Sequence, residues 1–139
     1  MRSLLLLFLC FIIRFSASSQ DLSGEWEGEY TFFIQRTPIK LSISRNSDSS
    51  YTILSYTNHK TQEGKDSIDV CKVSYKKISN RSIQLEEYEY ISGKKNLSAF
   101  QRMFLKIQEK RGTLKLVGRW ENANQSSFGN GDIFFVKKK

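Results

Sequence analysis

The sequence predicts an all-β fold: an antiparallel, up-and-down barrel of about eight strands. Three observations predict it. Apolar residues recur at every second position through most of the chain, which turns one face of a strand to a core and the other to water. The links between these runs are short and polar, so sequential strands become antiparallel neighbours. Beyond the first twenty residues Cys71 is the single cysteine, so no internal disulfide can replace a weak core. Burial and a complete hydrogen-bond ladder must hold the domain together, and closing the sheet completes the ladder by removing its edges.

Residues 1–19 read as a secretory signal. Met1-Arg2-Ser3 gives a short positive start, and ten apolar residues follow from Leu4 to Ile13. That run is too short for a membrane-spanning helix of roughly 20 residues, and has the length of a signal's apolar region. Small residues at Ala17 and Ser19 place cleavage before Gln20. Leu9 ahead of Cys10 argues against a lipoprotein signal, which wants a small residue there. Removing Arg2 and Arg14 lowers the net charge from +8 to +6. Residues 20–139 then form one domain, with no later apolar stretch long enough to span a membrane, exported to the periplasm or beyond.

Along that domain, Trp26, Gly28, Tyr30, Phe32 and Ile34 share one face of a first strand, and Glu25, Glu27 and Glu29 form its wet face. Ile39, Leu41 and Ile43 alternate with Lys40, Ser42 and Ser44 in the second, which Pro38 opens where a missing N–H does least harm. The third, Tyr51 to Thr57, has apolar residues on both faces. In the fourth, Ile68 and Val70 share one parity while Cys71, Val73 and Tyr75 share the other, a switch that a β-bulge near Val70 would produce. The fifth switches likewise, from Ile83 and Leu85 to Tyr88 and Tyr90. The sixth runs from Ala99 to Gln108, with Met103, Leu105 and Ile107 opposing Phe100 and Phe104. Leu114, Leu116, Gly118 and Trp120 align in the seventh, and Ile133 and Phe135 face away from Phe134 and Val136 in the eighth. The links include Asn46-Ser47-Asp48-Ser49, Ser79-Asn80-Arg81, Ser92-Gly93-Lys94-Lys95-Asn96 and Lys110-Arg111-Gly112. Their Gly and Asn residues tolerate the positive φ of tight hairpins.

The opening Leu22-Ser23-Gly24-Glu25-Trp26 resembles the Gly-x-Trp start of lipocalins and avidin-like barrels, together the calycins. It also resembles the Gly-x-Trp-x-Gly opening of exported bacterial barrels of unknown role, here Gly24 to Gly28. The resemblance implies that Trp26 closes one end of the barrel against a basic side chain. Lys137 is the candidate by position and Arg119 by chemistry. Gly131-Asp132-Ile133-Phe134 is similar to the avidin ending, but Glu27 and Glu29 stand where avidins carry Asn and Ser ligands, and their paired tryptophans are absent. Biotin binding is not expected.

Little chemistry is encoded in motifs. His59 is the single histidine; between Asn58 and Lys60 it reads as a polar loop residue, and Cys71 reads as a small buried hydrophobe. No metal site or cofactor is expected from such a set. There is no Gly-x-Ser-x-Gly elbow, and Glu86 and Glu87 lie on opposite faces of one strand, so no catalytic set emerges and no enzymatic activity is expected. The basic residues are spread over nearly every segment, which argues against a nucleic-acid groove and for a solvated surface with some attraction to anionic envelope polymers. Two functions remain. One is a binding barrel taking a small apolar ligand, with Tyr30, Phe32, Phe104, Leu116 and Trp120 as walls and Trp26 as floor. The other is a filled barrel that meets an envelope partner through an exposed apolar patch.

Overall fold

The computed structural model describes residues 20–93, 100–124 and 129–139. The expected signal, the Ala99 start of strand six and Lys94-Lys95-Asn96 of one link lie outside them. Eight strands follow in chain order: β1 (Gly24–Phe32), β2 (Gln35–Arg45), β3 (Tyr51–Lys60), β4 (Asp66–Ser79), β5 (Ser82–Ser92), β6 (Gln101–Lys110), β7 (Thr113–Asn122) and β8 (Asn130–Lys137). Each pairs antiparallel with the next, and β1 pairs with β8 from Trp26–Lys137 to Tyr30–Ile133. The barrel is closed. Among the described residues no helix is long and apolar enough to cross a membrane.

Alternation decides which side chains fill it. Trp26 and Tyr30 on β1, Ile39, Leu41 and Ile43 on β2, Leu116 and Trp120 on β7, and Ile133 and Phe135 on β8 are all buried. On the wet face of β1, Glu27 meets Lys40 at 3.0 Å and Lys138 at 2.7 Å, and Glu25 accepts a hydrogen bond from Ser42 at 2.6 Å. Pro38 lies within β2 but just outside the β2–β3 register, which begins at Ile39–Thr57. Arg111 and Gly112 both take positive φ, at 53° and 75°, and so turn the two-residue β6–β7 hairpin.

Closure depends on three glycines inside strands. At Gly28 a Cβ would stand 1.7 Å from the Phe134 carbonyl oxygen, at Gly131 1.9 Å from that of Thr31, and at Gly118 1.8 Å from that of Phe104. The neighbouring backbone occupies the place of a side chain at each point, as tightly coiled barrel strands require. Two of the three lie on the β1–β8 seam.

The base, where both described termini lie, is filled. Trp26 donates through Nε1 to the Leu22 carbonyl at 2.9 Å, and Lys137 Nζ lies 5.8 Å from its ring centroid. Lys137, not the exposed Arg119, is thus its basic neighbour. Above this floor Ile43, Ile53, Val73, Ile83, Leu85, Leu105, Leu116 and Phe135 pack as one apolar cluster.

Two register shifts place irregularities on β5, and a third, between Lys77 and Ser79, leaves Ile78 as an extra residue near the end of β4. The pairing steps from Val70–Ser92 to Cys71–Tyr90, and from Lys72–Glu89 to Val73–Glu87, so the extra residues are Ile91 and Tyr88. The irregularity expected near Val70 is there, but β4 itself keeps one parity: Ser67, Asp69, Cys71 and Val73 all face inward and are buried, while Ile68 is exposed. On β5, Ile83, Leu85 and Glu87 face inward until the Tyr88 bulge hands that side to Tyr90, whose partner is the inward Cys71.

Candidate binding site

The upper half of the barrel, away from Trp26, has a polar interior. Ser55 and Thr57 on β3 face Cys71 and Asp69 on β4 as direct cross-strand pairs, which sets their side chains side by side on one face. Glu87 enters from β5, Gln101 from β6, and Tyr30 from β1 beside its β2 partner Thr37. Thr57 is 0%, Asp69 and Glu87 1%, and Gln101 3% exposed.

Glu87 is the centre of this group. Its Oε1 accepts from the Ser55 hydroxyl at 2.6 Å and its Oε2 from the Gln101 backbone N–H at 3.0 Å. The β5–β6 register ends at Glu86–Arg102, so the carboxylate satisfies the next backbone donor where the ladder stops. Burial pushes its carboxyl up; the Ser55 and Gln101 hydrogen bonds oppose this, and the Asp69 charge reinforces it. Asp69 accepts from the Tyr90 hydroxyl at 3.4 Å, with His59 Nε2 3.7 Å from its other oxygen. Burial pulls His59 down against the pull of Asp69. It pushes the Tyr30 phenol up, and the Cys71 thiol up to about 12, with the Glu87 and Asp69 charges adding to both.

Among the described residues, three atoms in this half are buried without a hydrogen-bond partner: Thr57 Oγ1, His59 Nε2 and Gln101 Oε1. Asn58 Oδ1 is a fourth, on the other parity of β3. Folded proteins rarely leave such atoms unsatisfied, since each costs about 1–3 kcal/mol. Three of them in the half of the barrel that buries two carboxylates, Asp69 and Glu87, mark a region suited to something polar. Among the described residues no cluster of three or more His, Cys, Asp or Glu side chains has metal-binding geometry.

The predicted wall residues separate by height and face. Trp26 and Leu116 belong to the filled lower core. Tyr30 and Trp120 meet edge-on at 5.1 Å on the border of the polar half, where Trp120 donates to the Thr31 carbonyl at 2.9 Å. Phe32 is at the rim, 6.0 Å from the Trp120 ring and part exposed, because the β1–β2 hairpin turns beyond it; Phe33 and Ile34 stand 87% and 97% exposed at the tip. Phe104 is not a wall. It lies between the inward Met103 and Leu105, so it faces out, 43% exposed.

His59 belongs to β3 rather than to a loop, with its side chain 17% exposed. Glu86 and Glu89 face out, as alternation and the bulge require. Arg102 holds Glu86 through two bonds of 2.7 and 3.3 Å and Glu121 through one of 3.2 Å, and Lys72 holds Glu89 at 2.9 Å. Ser55, Thr57, Asp69, Glu87 and Gln101 were not among the expected site residues. Searching for apolar walls passes over them.

No family model matches the chain, and none of the curated proteins matches its sequence.

Proposed function

We propose that this chain is an exported, lipocalin-like binding barrel that takes a small polar ligand into the upper half of its interior. One observation carries the reading: Thr57 Oγ1, His59 Nε2 and Gln101 Oε1 are buried without a hydrogen-bond partner in the half of the barrel that holds the buried Glu87 and Asp69 carboxylates. Barrels of eight strands have an interior wide enough for packed side chains or for one small ligand. Here the apolar filling occupies the base, and the polar residues stand above it. A purely apolar guest would leave those atoms unsatisfied and lose free energy at each, so the chemistry favours a ligand with hydrogen-bonding groups over the apolar one expected from composition.

Trp120 provides the assay, because its ring borders the polar half through Tyr30. Titrating a panel of small polar molecules is expected to change Trp120 emission and raise the melting temperature. The emission change should vanish in Trp120→Phe while the thermal shift persists. A panel that leaves both signals unmoved, with a crystal structure showing ordered water on all three atoms, sinks the reading.

A second reading rests on the outer wall. Phe104 and Phe134 are each 43% exposed on the outer wall, Phe104 paired with Arg119 and Phe134 with Val117 across β6, β7 and β8. A surface groove of about 740 Å³ runs there past Ile78, Phe104, Val117, Lys106 and Arg119. Apolar and basic groups together suit an anionic envelope polymer. Co-sedimentation with a polyanionic polysaccharide should be lost in Phe104→Ser and Arg119→Ser. Sedimentation unchanged by either substitution removes this reading.

A further inference from the structure

The charge distribution across the barrel wall narrows the chemistry of the ligand. The chain carries a formal net charge of +8. Among the described residues, however, the buried charged side chains are Asp69 and Glu87, and no lysine or arginine is buried. Lys137 packs at the opposite end, against Trp26. On the strands Lys40, Lys72 and Arg102 pair with glutamates on the outer face. A basic protein therefore encloses an acidic interior.

Hydrogen-bond polarity in that interior points the same way. The Glu87 oxygens accept from two neutral donors, the Ser55 hydroxyl and the Gln101 N–H, and an ionised carboxylate has room for more. Gln101 Oε1 is an acceptor with no donor, and Thr57 Oγ1 is able to accept as well. An anion would meet the Asp69 and Glu87 charges in a poorly screening interior. A neutral polyol would supply donors without countercharge. A protonated amine supplies both.

Resting on the binding reading above, we propose that the ligand is a small organic cation whose ammonium group donates hydrogen bonds to Glu87, Gln101 Oε1 and Thr57 Oγ1. The Tyr30–Trp120 edge beside these acceptors gives the organic part of such a molecule an aromatic surface, and aromatic faces attract ammonium groups as well. Burial holds the Glu87 carboxyl up in the free protein, so an arriving cation stabilises its ionised form.

The test is calorimetric titration of the full chain with phenethylammonium, its neutral counterpart 2-phenylethanol and the carboxylate 3-phenylpropanoate. The ammonium is expected to bind, the alcohol to bind at least about tenfold more weakly, and the carboxylate not to bind. Thr57→Val and Glu87→Gln, each with an unchanged circular dichroism spectrum, are expected to weaken ammonium binding by about tenfold or more. Thr57→Val removes only an unpartnered hydroxyl, so it keeps the test alive if the Glu87 variant does not fold. An alcohol or carboxylate that binds as tightly as the ammonium overturns the cation inference and leaves the binding reading standing. Unaltered ammonium affinity in Thr57→Val likewise overturns it. If none of the three binds at millimolar concentration this inference fails, and the binding reading falls with it only if ordered waters occupy Thr57 Oγ1 and Gln101 Oε1.

Discussion

Replacing Gly28 by alanine is expected to break the barrel at its seam. The position has ordinary extended backbone, since its φ is not positive; without steric conflict, alanine would stabilise the protein by about 0.4–1 kcal/mol by restricting the unfolded chain. The conflict reverses the sign. The new Cβ would stand 1.7 Å from the Phe134 carbonyl oxygen, 2.7 Å from its carbon and 2.9 Å from the Phe135 Cα, all backbone atoms without a rotamer to escape into. Reaching ordinary contact near 3.4 Å requires a movement of about 1.7 Å, against a strand spacing of about 4.8 Å. A hydrogen bond lengthened that far is lost. The seam has five registered pairs, from Trp26–Lys137 to Tyr30–Ile133, with Gly28–Phe135 in the middle. Losing two or three ladder bonds at about 1 kcal/mol each, plus exposure of the apolar residues behind them, gives a cost of about 3–5 kcal/mol. That is a large share of the stability of a domain this size, about 6–18 kcal/mol. Urea unfolding followed by tryptophan fluorescence measures it, with Gly112→Ala as control. Nothing lies within 4 Å of a Cβ at Gly112, whose φ is +75°, so the control reports only left-handed strain of about 1–2 kcal/mol. A Gly28→Ala variant as stable as wild type, or less perturbed than Gly112→Ala, would refute the dependence of closure on a bare backbone at the seam.

Two further outcomes test the interior. Burial raises the Glu87 carboxyl above its unfolded value of 4.5, so the native state holds this proton more tightly. Stability is then fullest below the unfolded value, falls as pH rises through the window up to the raised native value, and stays lowered above it. Glu87→Gln removes that titration and keeps an oxygen for the Gln101 N–H, while the Ser55 hydroxyl can turn to accept. The variant is expected to match wild type near pH 4 and exceed it by about 1–2 kcal/mol at pH 7 in denaturant unfolding; a difference constant across that range contradicts a buried ionisable Glu87. Cys71, buried with its thiol pushed up to about 12, is expected to react with a thiol reagent at neutral pH only as fast as the domain opens. Modification at the rate of a free thiol in native buffer is inconsistent with its place in the core.

The fold was legible because most of the barrel obeys one rule. Where the interior is apolar, as at Ile39-Leu41-Ile43 and Ile133-Phe135, the side-chain period alone separates core from surface, and all of these residues are buried. Trp26, which the same alternation places inside, is fully buried at the base beside Lys137. Phe104 obeys the rule, and only its size suggested a wall: its parity, opposite to Met103 and Leu105, places it outside.

The site was hidden by the same rule that revealed the fold. In β3 and β4 the hydrophobic residues Tyr56, Ile68 and Val70 face outward, and Ser55, Thr57, Ser67 and Asp69 face inward and are buried. Taken as ordinary half-buried strands, these segments show two apolar faces or a change of parity, and a bulge in β4 is the natural explanation. The pairing has no need of one on β4 between Ser67 and Val73, where the odd-numbered residues all face inward. A polar stretch on the inner face at the same height of two adjacent strands produces the same pattern. Apparent parity failures at Tyr51–Thr57 and Ile68–Val70 were therefore the trace of the site in the sequence. Two neighbouring strands that break the apolar pattern at paired positions, Thr57 opposite Asp69 and Ser55 opposite Cys71, bring polar side chains together on the inner face. A lone bulge has no reason to disturb both. Glu87 joins them from β5, at the residue before the bulge that turns Tyr88 outward, so the irregularity of that strand and the polarity of the interior serve one arrangement.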